Sequence, residues 1–304
     1  MLTATGCGLS VPPLGAHHGP PLGGISNTTS SGRGCLFLSL NEEQNLPGCL
    51  ESVSWSDDVV VFDSYSADRT VEIARAKGAR VFQRVFDDYA TQRNAALNEV
   101  EYKHPWVLMV DADERWHKEI HDEIAAAILK DTTASIYHFR RRDVFMGRWL
   151  RHTGYPTWAG RLVKVGEVTV KRSINEEYHT AGGKGYLKRH FIHHPFNKGF
   201  AHWLHKHNRY STMEAETLVG QVGDRLHAAD AFSRDPLRRR KFLKQLAYRL
   251  PCRPFLVFCY LYFLRWGFLD GTAGLNYCRL RAVYEYMIDL KVKELNRRKE
   301  GLTI

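Results

Sequence analysis

Short apolar runs alternate with polar stretches of helical length through the first half of the chain. Cys35-Leu36-Phe37-Leu38 leads into Asn41-Glu42-Glu43, after which Leu46, Cys49, Leu50 and Val53 recur at the spacing of one helical face. Val59-Val60-Val61-Phe62 is a continuous apolar run ending at Asp63. Ser64-Tyr65-Ser66-Ala67-Asp68 has turn chemistry, with Asp68 set to cap a helix through Val71, Ile73 and Ala74. Gly78 stops that helix, and Arg80-Val81-Phe82 starts another strand. Residues 90–100 read as a helix, and Trp106-Val107-Leu108-Met109-Val110 as a buried strand ending at Asp111. Strands without alternation, separated by helices of about ten residues, predict an α/β fold with a mostly parallel sheet covered on both faces. Ligands of such sheets bind beyond the carboxyl ends of the strands, which is where Asp63, Asp111 and Asp113 fall.

Beyond about residue 145 the rhythm is lost. An aromatic region rich in His and Arg runs to about 210, and 203–232 reads as a helix or helix pair. Arg234, Arg238-Arg239-Arg240-Lys241, Lys244, Arg249 and Arg253 then precede an apolar segment, 255–269, whose single charge is Arg265. An amphipathic helix from about Leu275 to Asn296 closes the chain. These textures divide it into a tail over 1–33, a catalytic or binding domain over 34–215, and a helical, basic C-terminal region over 216–304. The tail is rich in Gly, Pro, Ser and Thr and lacks the charged start and apolar run of a secretory signal. It reads as a disordered extension or an artefact of start-site choice.

Composition narrows the classes. With 304 residues and 44% hydrophobic content, the chain can bury a sizeable core. The net charge of +10 is uneven: residues 1–150 carry 15 Lys+Arg against 20 Asp+Glu, and residues 151–304 carry 28 against 13. The basic half should face an anionic partner. The six cysteines show neither a C-x-x-C pair nor ligand spacing with histidine, which argues against a zinc site or disulfide framework and for a reducing cytoplasm.

Asp111-Ala112-Asp113 at a strand end can present oxygens to a hard divalent cation bridging to a diphosphate. The alternative is that either aspartate merely caps the helix from about His117. No G-x-G-x-x-G follows the first strand and no G-x-x-x-x-G-K-[ST] occurs, which excludes a dinucleotide Rossmann site and a P-loop. Phosphate binding would then rest on metal and on Arg or Lys, and Arg93 in Gln92-Arg93-Asn94 suits it unless it is a solvated helix arginine.

Five motifs occur in order: Ser39-Leu40-Asn41-Glu42-Glu43, Leu50-Glu51-Ser52-Val53, Val61 to Thr70 around Asp63, Gln92-Arg93-Asn94-Ala95-Ala96-Leu97, and Val110-Asp111-Ala112-Asp113-Glu114-Arg115. Together they resemble the family 2 glycosyltransferases of the GT-A fold, in the bacterial branch of lipopolysaccharide-core β-glucosyltransferases and exopolysaccharide enzymes. The resemblance covers about 35–215, and Gly267-Phe268-Leu269-Asp270-Gly271 is similar to C-terminal segments of that branch. It implies an inverting transfer from a nucleotide-sugar, with Mg²⁺ or Mn²⁺ as cofactor. Asn41 and Glu42 would join the nucleotide-sugar site, Asp63 would recognise the base, and Arg93 would hold base or diphosphate. Asp111 would contact ribose or metal, and Asp113 would ligate the metal. The acceptor-side base would be Glu176, with Glu177 second, although Asn175 stands where relatives carry His. His193 is a further metal ligand or a hydrogen-bonded core histidine, and Arg161 reaches the diphosphate or pairs with a structural carboxylate. Ser39-Leu40 departs from the family's polar and aromatic pair, and Gly32-Arg33-Gly34 interrupts the first strand, which is shortened or begins outside this reading frame.

The segment 255–269 is shorter than the roughly 20 residues of a membrane span. Its aromatics beside a basic cluster predict peripheral contact through 238–269 with the inner face of the cytoplasmic membrane, the alternative being a buried core helix. Expected partners are a nucleotide-sugar donor and a glycan or lipid-linked acceptor of cell-envelope polysaccharide synthesis, with no nucleic acid. Rival readings are a non-catalytic binding protein on the same fold, or a basic protein that binds anionic surfaces or nucleic acid.

Overall fold

The computed structural model describes residues 32–154, 158–171, 177–220 and 252–304. The apolar runs of the first half form β1 (Gly34–Ser39), β2 (Val59–Asp63), β3 (Arg80–Gln83) and β4 (Trp106–Asp111), all parallel, in the spatial order β3-β2-β1-β4. β1 is six residues long and pairs with β4 from Gly34 onward, so the Gly-Arg-Gly interruption ends where pairing starts. The intervening helices are α1 (Leu46–Ser52), α2 (Thr70–Ala76) and α3 (Tyr89–Glu99). Asp68 guards the entry to α2 by accepting from the Thr70 N–H at 3.0 Å, and Gly78, at φ +80°, ends the turn after it. Asp88 caps α3 by accepting from the N–H groups of Ala90 and Thr91.

The second half of the sheet is mixed, a feature the sequence pattern did not disclose. β4 continues antiparallel into β8 (Trp158–Lys164), which pairs antiparallel with β6 (Ala134–Phe145). β6 lies parallel to β11 (Gly183–His193), and β5 (Glu114–Arg115) closes the edge. β7 (Arg148–Trp149) folds back on β6, and β9 (Val168–Lys171) with β10 (Glu177–Thr180) forms a separate two-stranded ribbon. β6 contains Arg140-Arg141-Arg142-Asp143, so no apolar run marks it as a strand.

Each sheet face has its own core. One packs α1, α4 (Lys118–Lys130) and the middle of α2 against Phe37, Val61, Leu108, Val110, Phe139 and Phe191. The other packs α3 and the ribbon against Leu36, Val60, Val107, Met109 and Ile136. Asn94 fastens that ribbon, donating to the Val170 carbonyl at 2.8 Å and accepting from the Val170 N–H at 2.9 Å.

The C-terminal region comprises α5 (Gly199–Gly220), α6 (Arg253–Cys259), a π turn over 260–264, a 3₁₀ turn over 267–270 and α7 (Gly271–Lys299). The basic residues from 234 to 249 lie outside the described residues, as does the tail over 1–31. Arg253 binds Glu285 of α7, and Lys291 of α7 donates to Asn208, Ser211 and Thr212 of α5. The 255–269 segment is neither a span nor a fully buried core helix: Leu261 is buried, while Phe255, Phe263, Leu264 and Trp266 face outward. Among the described residues no helix is long and apolar enough to cross a membrane.

A buried carboxylate helps join this region to the sheet, beside the packing of Ala273, Tyr277 and Leu280 on Phe145 and Leu150. Buried Asp270 accepts from the N–H groups of His152 and Thr153 and from the Thr153 hydroxyl, at 3.0, 2.8 and 2.9 Å. Arg148 donates to the Leu269 carbonyl and Arg265 to that of Gly154, both at 3.0 Å. Glycine permits the close approach, since a Cβ on Gly267 would lie 2.5 Å from Thr153 Cγ2. Asp270→Ala strands three buried donors, so the unfolding free energy should fall by roughly 3 kcal/mol in urea titrations. A change below about 0.5 kcal/mol, the usual size for a surface substitution, would show the clamp to be dispensable.

Candidate active site

The carboxyl ends of β1, β2 and β4 bring the sequence-expected residues to one end of the sheet. After β1, Asn41 takes a left-handed conformation (φ 55°), its N–H donating to the Ser66 hydroxyl and its Oδ1 accepting from the Ala67 N–H. The Glu42 N–H donates to Thr70 and the Glu43 N–H to Asp68, so the loops after β1 and β2 are fastened side by side. Lys198, just before α5, donates to the Asn41 carbonyl at 2.7 Å and to Glu42 Oε1 at 2.5 Å. Burial raises the Glu42 pKa against the pull of Lys198.

Asp63 is fully buried beneath these loops. Its carboxylate accepts from Ser39 Oγ at 2.9 Å, from the Ser66 N–H at 2.8 Å, from Ser66 Oγ at 2.5 Å and from Gln83 Nε2 at 3.2 Å. These four donors use both oxygens to hold the loops. Leu40 and Tyr65 flank it with side chains exposed to solvent.

At the end of β4, Asp111 accepts from Arg93 Nη2 at 3.0 Å and Arg161 Nη2 at 2.5 Å. Both arginines are buried, so neither is a solvated surface group. Arg161 also reaches Glu114 Oε1 at 2.5 Å, and so pairs with two carboxylates. Burial works to raise Asp111, but Arg161 and Arg93 hold it well below the usual carboxylate range. Burial pushes the wholly enclosed Glu114 up to about 7 despite Arg161. The first turn of α4 takes no side-chain cap, so the capping alternative for Asp111 and Asp113 does not hold.

Asp113 and His193 meet beside this pair. The His193 Nε2 lies 3.3 Å from Asp113 Oδ2, and its Nδ1 lies 2.7 Å from Asp143 Oδ1. Burial lowers the tendency of the ring to hold a proton, yet the flanking aspartates raise its pKa to about 9. Both nitrogens therefore carry protons at neutral pH. The Lys206 ammonium of α5 adds a further attraction at Asp113, and Tyr210 of α5 hydrogen-bonds Tyr89 of α3. Arg141 completes the set at 2.9 Å from Asp143. Four carboxylates (Asp111, Asp113, Glu114, Asp143) thus face four cationic groups (Arg93, Arg141, Arg161, His193).

Glu177 stands apart on the ribbon, exposed, 3.7 Å from His179, while Glu176 lies outside the described residues. Sequence reading missed Glu114 and Asp143. Glu114 sat unassigned within a quoted motif, and Asp143 was detectable as the lone acid after three arginines. The five cysteines among the described residues are unpaired.

His193 can hold or exchange a proton at Nε2 while Nδ1 stays fastened to Asp143, an arrangement typical of histidines that ligate metals. Among the described residues no three such side chains converge, so any cation would take its remaining ligands from substrate phosphate and water.

A family model described as glycosyl transferase family 2 matches residues 37–194. An uncharacterized glycosyltransferase of Rickettsia bellii is 39% identical over 90 residues, 29% of this chain and 30% of that protein. The match therefore spans under a third of that relative's length. The lipopolysaccharide core biosynthesis glycosyltransferase LpsC of Rhizobium meliloti is 23% identical over 265 residues, 84% of this chain and 90% of that protein. Among solved structures, glucosyl-3-phosphoglycerate synthase from Mycobacterium tuberculosis is 22% identical, covering 36% of this chain and 44% of that one at a TM-score of 0.33.

The raised His193 pKa makes a signed prediction for the metal-free protein. Stability from its proton is fully present below the unfolded value of about 6.5 and is lost as pH rises through about 9. In urea titrations with chelator, the deficit of His193→Gln should be largest near pH 6 and shrink toward about pH 10. A deficit that stays flat across this range would mean that His193 is not held as an imidazolium.

Proposed function

The chain belongs to glycosyl transferase family 2, and we propose that it moves a sugar from a nucleotide-sugar to a glycan or lipid-linked acceptor in cell-envelope polysaccharide synthesis. The observation that carries this reading is the Asp111, Asp113 and His193 constellation at the strand ends, inside the family-matched segment. The name of the LpsC relative supports a lipopolysaccharide context.

In this reading Asp113 and His193 would hold a divalent cation, which would supply positive charge to the departing diphosphate. Asp111, locked by Arg93 and Arg161, presents a fixed carboxylate to ribose or metal with no reorganisation on binding. Asp143 keeps the His193 ring in orientation. Asp63 serves base recognition by fixing the Ser64–Asp68 loop, alongside Asn41 and Glu42. Glu176 or Glu177 takes the acceptor hydroxyl proton as the new C1–O bond forms, and the C1–O bond to diphosphate breaks with its electron pair, inverting the anomeric carbon.

Asp113→Asn tests the centre. Against a panel of UDP-, GDP- and dTDP-sugars with Mn²⁺ or Mg²⁺, transfer should fall at least about 100-fold while the melting temperature stays close to that of wild type. Undiminished turnover would exclude the metal role of Asp113.

We also assign the aromatic face of 255–269 to the cytoplasmic surface of the membrane. Phe255, Phe263, Leu264 and Trp266 are 65%, 56%, 75% and 60% exposed, an unusual density of large apolar side chains. Replacing Phe263, Leu264 and Trp266 by Ser should release the protein from anionic vesicles in sedimentation assays and leave soluble-donor hydrolysis intact. Unchanged sedimentation would rule this surface out as the anchor.

A further inference from the structure

β6 presents opposite chemistry on its two faces. Phe139 packs in the core and Asp143 joins the candidate active site, whereas His138, Arg140 and Arg142 alternate onto the other face. Across the sheet Arg140 is in register with Trp158 of β8, and Val144 is in register with Trp149 of β7. The Arg140 guanidinium lies 4.9 Å from the Trp158 ring centre. Those of Arg142 and Arg151 lie 4.0 and 5.7 Å from the Trp149 ring centre. Tyr186 meets Trp158 edge-on at 5.1 Å and is 58% exposed.

What sets this face apart is its missing counter-charge. Among the described residues Arg140, Arg142 and Arg151 have no carboxylate partner, although Arg141 on the opposite face pairs with Asp143. Burial, and then the neighbouring Arg151, lower the Arg142 pKa, so two guanidiniums crowd one indole without an anion between them. A guanidinium is a planar fork suited to phosphate oxygens, and stacking on an indole holds that fork in orientation. The exposed Tyr186 ring offers an apolar plane to the C–H face of a sugar. Arg140 and Arg142 are about 6.6 Å apart along the strand, roughly the width of one sugar ring.

We infer that this arginine and tryptophan face is a binding site for a phosphorylated saccharide, with phosphate on Arg142 and Arg151 and a sugar ring against Tyr186 and Trp158. Calling that ligand the acceptor rests on the sugar-transfer reading.

Calorimetric titration of the full chain with maltose 1-phosphate and with maltose tests the site. The phosphorylated sugar should bind at least about tenfold more tightly, a charge-assisted hydrogen bond's worth of preference. Arg142→Gln with Arg151→Gln should erase that preference, and exposed Arg151→Gln alone, a change that spares the fold, should reduce it severalfold. Equal affinity for the two sugars, a preference that survives the double change, or oligothymidylate binding as tightly as the phosphosugar would overturn the inference. Phosphatidylcholine vesicles carrying polyprenyl-phosphoglucose provide a second arm. Stronger capture there than of the free phosphosugar identifies a lipid-borne ligand, and the reverse a soluble one. Titrating UDP, GDP and dTDP with Mn²⁺ on the same samples separates the two readings. Loss of all nucleotide binding counts against sugar transfer, whereas intact nucleotide binding without phosphosugar preference counts against this site alone.

Discussion

Four carboxylates crowded at one end of a sheet, with Glu114 and Asp143 buried and Asp111 and Asp113 partly exposed, would repel one another strongly enough to oppose folding, and the architecture around them answers that constraint. Isolated charges removed from water cost several kcal/mol each unless they are paired and hydrogen-bonded. Arg161 is the hinge of the solution, because one guanidinium serves Asp111 and Glu114 together. It arrives on β8, the strand that turns the parallel half of the sheet into the mixed half. Arg93 comes from α3, Arg141 from β6 and His193 from β11, so the cations converge from four elements that are distant in sequence. The mixed half of the sheet is thus the part that makes an acidic strand end tolerable.

That division also explains what could be read from sequence. The parallel half was legible because strands buried on both faces must be continuously apolar, and Val59–Phe62 and Trp106–Val110 announce themselves. The strand-end aspartates followed from topology alone. β6 and β11 stayed hidden because one face of each carries Arg, His and Tyr, which breaks the apolar run and imitates a loop. Asp143 was lost with them, and with it the fastening of His193. The carboxylate partners of Arg161 and Arg93 required knowledge of which strands are neighbours, which periodicity does not supply.

Asp63 illustrates a different limit. Its position at a strand end was correctly read, but nothing in the sequence indicated that its oxygens would be consumed by Ser39, Ser66 and Gln83. A carboxylate engaged in this way shapes a pocket by fixing its walls. Side chains that contact ligands and side chains that hold contacting loops look alike in a motif, and only the count of donors around each oxygen separates them.

The Asp270 clamp has a geometric consequence. It fastens the turn carrying Phe268 and Leu269 to the backbone of His152 and Thr153, just past a hairpin that ends on Trp149. The outward aromatic face is therefore fastened to the backbone that follows the β6–β7 hairpin. Any surface on which that face settles meets the reaction centre at a set height and tilt, as a spirit level meets the table beneath it. If that face is the membrane anchor proposed above, reach toward an acceptor would be a length set by the fold, and acceptors would be sorted by that length before any of their hydroxyls is tested.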